Sequence, residues 1–439
     1  MIAALALLPL IWRIQPPLVQ DAGAARGKVW TQEELERVSE EIRSDIEATR
    51  GMKFKRPVRV KITDKKGLID YIHKREQKTE TPERRTRDEQ VAKMLGLIPP
   101  EMDLHAVLEK LLESQVGGFY DPGTDTFYLM EAFSGDLARC ILSHELIHAL
   151  DDQYFDLDKN LKDLREETDA GFADHALAEG SAYAGGKEWM ALHLQSLDRE
   201  ALLKADDLLS GGLDDAPPFL WLPLLGSYLR GEGFLVRTAG VNIAMKGAKV
   251  EDIKQAFEHP PRSSEQILHP EKYWDPKTLD EPRAVAIDAS KLQLGWKALG
   301  EDTLGEMMLA LVTTPTEKRP KFDPKNPLSV LGIQYTNKAA EGWGGDRALL
   351  LEKGDARALW LVTVWDTPED AKEFRDAAAA AFQEAPDAKS AFHHRVDRTG
   401  DSDVVVVVAY AGVAERDLPT PTWKIAPKST PKESSGDKR

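Results

Sequence analysis

Apolar and polar positions recur along this chain with two different periods, and the points where the period switches mark the elements. Thr31-Gln32-Glu33-Glu34, followed by apolar residues at helical spacing, predicts a capping box opening an amphipathic helix to about Arg50. Arg59-Val60-Lys61-Ile62 alternates every second residue, as a half-buried strand does, and helical spacing resumes from Lys66. A helix near Leu104–Gln115 leads into two short aromatic runs around Asp121-Pro122-Gly123, the pattern of a β-hairpin over Gly117–Met130. Helices are expected next at about Asp136–Gln153 and Ala170–Gln195, then a Leu-rich helical stretch to about Gly247. Pro260 and Pro261 break that pattern. After them, strands at Ala284–Ile287, Ala348–Leu351, Leu361–Val364 and Val404–Ala409 are interspersed with helices at Leu304–Val312 and Pro368–Phe382. The mixture predicts an α+β protein, with an N-terminal α/β region at 27–115, a core at 116–281 and a small α+β unit at 282–423. Residues 424–439, rich in Pro, Ser and Lys, read as a disordered tail.

The first residues, MIAALALLPLIW, form an apolar run shorter than the ~20 residues a membrane-spanning helix needs. With the small residues of Asp21-Ala22-Gly23-Ala24-Ala25 behind it, residues 1–26 read as a signal segment. An exported protein, periplasmic or extracellular and without a transmembrane helix, is therefore expected. A formal net charge of −16 argues against a nucleic-acid partner. The locally basic stretch from Lys53 to Arg87 holds only Phe54 and Tyr71 as aromatics and reads as solvated surface. One cysteine, Cys140, leaves no internal disulfide, and its apolar surroundings make it a core residue and not a nucleophile.

The chemistry concentrates in Ser143-His144-Glu145-Leu146-Ile147-His148. Residues four apart share a helix face, so both imidazoles can reach one Zn²⁺ ion, while Glu145 lies about 100° round the axis. Two neutral nitrogens then hold the metal and a carboxylate that is not a ligand takes the proton. The flanking Leu137, Ile141, Leu142 and Leu150 mark a core helix, and burying three polar side chains there without partners would cost several kcal/mol. A metal is the simplest partner. For the third ligand, Asp151 and Tyr154 stand where a third-histidine pattern needs Gly and His, which excludes that pattern. Glu179 in Ala176-Leu177-Ala178-Glu179-Gly180-Ser181-Ala182 is favoured, with His175, one turn earlier on the same face, as its rival. Tyr183, His269 and Tyr273 are the candidate oxyanion donors, and the hairpin offers a strand edge to an extended peptide.

SHELIHALDDQ together with ALAEGSA resembles the gluzincin zinc metallopeptidases, the thermolysin-like group with a glutamate as third ligand. More narrowly, the order GFYDPGTDTFYL, SHELIHALDDQYFDL, ALAEGSA, the Tyr228-Leu229-Arg230-Gly231 helix, PPRSSEQILHPEKY and GWGGDRALLL is similar to poorly characterised prokaryotic metallopeptidase-like proteins. The resemblance spans about Gln115 to Gly412. It implies a small sheet with an edge strand, an active-site helix, a helical lower half, and peptide or protein substrates. It departs from the thermolysin pattern at Tyr183, where that pattern has an aspartate supporting a ligand histidine, so support must come from elsewhere, with Asp151 and Asp174 as candidates. Two other functions fit the motif: a zinc protein without turnover that binds peptides or partners in its cleft, and a hydrolase of non-peptide amides or esters. In the C-terminal unit, Gly342-Trp343-Gly344-Gly345 lacks the spacing of a phosphate loop and reads as a turn with a packed Trp.

Overall fold

A computed structural model describes residues 3–5, 29–79, 81–157, 159, 167–198, 216–238, 246–292, 295–323, 327–383, 392–398 and 402–428. The leader expected at residues 1–26 therefore lies largely outside the described residues; Ala3–Leu5 form a short strand, β1. The capping box at Thr31 is present, with its side chain accepting from the Glu34 N–H at 3.1 Å and its own N–H donating to the Glu34 carboxylate at 2.8 Å. It opens α1 (Gln32–Arg50), which buries Leu35, Val38, Ile42 and Ile46 along one face and stops at Gly51 in the left-handed region, φ 58°. Next come β2 (Arg59–Thr63), α2 (Lys65–Thr79), α3 (Pro82–Met94), α4 (Leu104–Gln115) and the hairpin β3 (Val116–Asp121) and β4 (Thr126–Met130). These strands form one sheet in the order β1-β3-β4-β2, with β2 parallel to β4 and the other pairs antiparallel.

That sheet packs on α5 (Gly135–Phe155), a helix buried along almost its whole length from Leu137 to Gln153. A methyl group at Gly118 of β3 would meet Ile141 of α5 at 2.9 Å, so only glycine lets the strand lie this close to the helix. Two long helices follow, α6 (Thr168–Leu192) and α7 (Pro218–Val236). They touch backbone to backbone: a Cβ at Gly180 would sit 2.3 Å from the Gly231 carbonyl carbon, and one at Gly231 would sit 2.0 Å from the Ala176 oxygen. The helical half closes with α8 (Val250–Glu258), α9 (Ser264–Leu268) and α10 (Glu271–Trp274).

The C-terminal unit begins at β5 (Val285–Asp288) and β6 (Lys297–Asp302), continues through α11 (Gly305–Thr313), β7 (Trp343–Lys353), β8 (Ala356–Trp365) and α12 (Pro368–Gln383), and ends with β9 (His393–Arg398), β10 (Val404–Ala411) and β11 (Thr422–Ile425). Its main sheet has the order β6-β7-β8-β10-β9, and β5 pairs with β11 separately. Leu359 and Leu361 of β8 join the main core while Trp360, Val362 and Val364 join a second one under β5, so both faces of the strand are covered. The chain is thus α+β, and among the described residues no helix is long and apolar enough to cross a membrane.

Two expectations need correction. The basic stretch is not wholly solvated, because Arg87 is buried in α3 and donates to the Glu301 carbonyl at 2.7 Å. The ordered chain also passes the expected boundary at residue 423: β11 includes Lys424 and Ile425, Trp423 packs on Trp360, and Lys428 bonds Asp366 at 2.6 Å. The expected turn with a packed Trp is present: it ends at Gly342, and buried Trp343 opens β7, its indole N–H donating to Asp346 at 2.9 Å.

Candidate metal centre

His144 and His148 stand one turn apart on α5, and Glu179 reaches them from α6. The two Nε2 atoms are 3.1 Å apart, and Glu179 Oε2 lies 3.1 Å from His144 Nε2 and 3.4 Å from His148 Nε2. With bonds of about 2.0–2.2 Å, two donors on a tetrahedral zinc are separated by roughly 3.3–3.5 Å. The triangle is therefore the right size for three corners of such a tetrahedron. His144 is 1% exposed, and Glu145, His148 and Glu179 are 0% exposed. Among the described residues the Nδ1 of His148 and the Oε1 of Glu179 are buried without a hydrogen-bond partner.

Burial alone would drive each of these groups neutral. It does so at His144, whose imidazole is held below its ordinary value despite Glu179. Burial also pushes Glu179 up, but His148 and the two histidine contacts outweigh it and hold the carboxyl well below its usual range. At His148 burial is again opposed, and the carboxylates of Glu179, Glu145 and Asp151 raise the imidazole. In the protein alone the surroundings thus favour the charged forms of Glu179 and His148 and the neutral form of His144. A divalent cation bound there would displace whatever protons the two imidazoles carry on their facing nitrogens.

His175, the rival ligand, points to the other oxygen of Glu179 at 3.8 Å and stays outside the converging triangle. Burial lowers its imidazole to about 4, so it is neutral at physiological pH. Tyr183 is buried one ring away from the triangle, edge-on to Tyr228 with centroids 6.0 Å apart. Tyr228 itself stacks on His144 at 5.7 Å. The sequence alone did not mark Tyr228 as a site residue, since it is one of several aromatic residues in α7, with Phe219, Trp221 and Phe234. His269 is drawn elsewhere: its Nε2 lies 2.9 Å from Glu306, which also accepts from Thr336, and neither is a member of the triangle. Tyr273 donates to the His259 carbonyl at 2.5 Å. Among the described residues Asp151 bonds neither histidine but accepts from Ser181 at 2.6 Å. Asp174 is buried, with its carboxyl pushed up to about 7.

The hairpin edge expected to be open is taken in this structure. Ala3, Ala4 and Leu5 of β1 pair antiparallel with Phe119, Gly118 and Val116 of β3. Cys140 is buried and its thiol is pushed up to about 12, so it is no nucleophile. A second acidic group, Glu265, Asp280 and Asp366, converges at the junction with the C-terminal unit. Two lysines already fill it: Lys272 bonds all three carboxylates, and Lys428 lies 3.1 Å from Asp280 and 2.6 Å from Asp366.

A family model described as a domain of unknown function (DUF8575) matches residues 292–419, which covers most of the C-terminal sheet unit and leaves the triangle outside. No curated protein matches the chain. No solved structure matches it either.

Proposed function

We propose that this chain is a zinc-dependent metallopeptidase of the gluzincin type. One observation carries the reading: two imidazoles and a carboxylate from two helices meet at tetrahedral spacing, with Glu145 on the same helix as the imidazoles. His144, His148 and Glu179 would hold the metal. Bound there, zinc would polarise the scissile carbonyl and acidify water. Glu145 takes a proton from the attacking water and delivers it to the leaving amine. His175 stays neutral on the far side of Glu179, 3.8 Å from its other oxygen.

The test is elemental analysis of the wild type beside Glu179→Ala and His175→Ala. The expected result is one zinc per chain, lost in Glu179→Ala and kept in His175→Ala. No zinc in folded wild type would overturn the reading. Glu145→Gln should keep its zinc and lose hydrolysis of unfolded protein substrates by at least about 100-fold.

The complete burial of the site and the pairing of β1 along β3 favour a second reading, a zinc protein without turnover. Zinc retained with no hydrolysis of any unfolded substrate would decide for it.

A further inference from the structure

Arg50 is the last residue of α1, yet it is only 4% exposed. Its Nη2 donates to the Ser181 carbonyl at 2.9 Å and contacts the Ser181 hydroxyl at 2.8 Å. That hydroxyl donates to Asp151 at 2.6 Å, and the guanidinium is 3.8 Å from the same carboxylate oxygen. Asp151 is 2% exposed and Ser181 0%. A cation from α1, a hydroxyl from α6 and a carboxylate from α5 therefore close a buried clamp across three helices. Space for it has been cleared: a Cβ at Gly185 would meet the Arg50 Nη2 at 3.3 Å and the Ile147 side chain at 2.5 Å.

The position of the clamp matters more than its existence. Asp151 lies three residues past His148 on α5, and Ser181 two residues past Glu179 on α6. At about 1.5 Å of rise per residue, the clamp sits within one turn of the triangle on both helices. One contact between two helices leaves them free to slide and roll. A second contact so close by fixes both motions. Metal coordination tolerates ligand displacements of only about 0.2 Å. Apolar packing between α5 and α6 is non-directional and supplies no such register.

We propose that Arg50 is a positioning residue for the metal centre, holding α5 and α6 in the register that brings Glu179 onto His144 and His148. The inference rests on the metal reading above. It also gives residues 32–50 a fixed structural place: α1 cannot leave without taking the clamp with it.

The experiment compares zinc affinity, by competition with a chromophoric chelator, with the thermal melting of the metal-free protein. The variants are made in the full chain. Arg50→Met combined with Ser181→Ala and Asp151→Leu removes the whole clamp and leaves no buried charge unpaired, so the fold is expected to survive. Zinc affinity should fall roughly 10–100-fold in that folded variant. Arg50→Lys, which keeps the charge and loses the planar fork, should fall in between. Ser181→Ala, which removes one hydroxyl, provides a milder version should the triple variant not fold, and it should weaken zinc several-fold. Unchanged affinity in a folded clamp variant, whatever its melting point, would overturn the proposal and leave the metal reading standing. A wild type that binds no zinc would instead remove both.

Discussion

Asp346 shows how much a single buried side chain can carry in this protein. Its two oxygens accept from the Leu304 and Gly305 N–H groups at 2.9 Å each, and Oδ2 also accepts from the Trp343 indole at 2.9 Å. Burial pushes its carboxyl up to about 6, and the backbone and indole donors hold it from going higher. Asp346→Ala leaves three donors without an acceptor, each costing about 1–3 kcal/mol. The expected loss of unfolding free energy in urea is at least about 3 kcal/mol, with Asp346→Asn losing less. A loss under about 1 kcal/mol would show that water replaces the carboxylate. At this same scale the sequence was legible for His144, Glu145 and His148, whose relation is local and periodic. Glu179 was legible as the favoured third member of the group, with His175 left as its rival. Tyr228 and Arg50 were not, since a ring stacked across 84 residues or a guanidinium bonded across 131 leaves no trace in spacing. His269 misled for the matching reason: its polar partner, Glu306, lies 37 residues away and could not be seen beside it.

At the scale of elements, the helices and the hairpin with one clear apolar face were readable to within a few residues. What escaped is instructive. The helix α3 carries so many charges that it has almost no apolar stripe, and its formation relies on the Thr81 cap, Pro82 at its start and the buried Arg87. The edge strands β6 and β9 are half exposed and lack steady alternation, so their pairing with β7 and β10 had no local signature. The lengths of β7 and β8 were underestimated because strands covered on both faces lose alternation altogether. The crossing of α6 and α7 yields a prediction of its own. Gly231→Ala would drive a methyl into the Ala176 carbonyl, 2.0 Å away, where backbone and not a flexible side chain must give. Overpacking of this kind costs about 1–3 kcal/mol or more. The variant should unfold at lower urea than the wild type, and Gly247→Ala, where a Cβ meets nothing, should not.

For the whole molecule, buried acids set the dependence of stability on pH. Burial pushes Asp169 up to about 8, Asp174, Asp302 and Glu232 to about 7, and Asp152 to about 6. Each holds its proton to a higher pH when folded than when unfolded, so its contribution is full below the ordinary carboxyl range and is lost as pH rises through the folded value. The window runs from about 4 to about 8. Melting of the metal-free protein should therefore move to lower temperature from about pH 5 to about pH 8. A melting temperature that rises across that range would contradict these protonation states. Metal binding runs the other way, because its ligands must shed protons first. The burial of the triangle has a last consequence, for time instead of energy. His144, His148 and Glu179 are each at most 1% exposed, so an ion held by them would not be handed over at the surface of the finished fold. Under the proposed metal reading, loading and loss would both wait for α5 and α6 to part, and the rate of exchange would be set by that breathing motion.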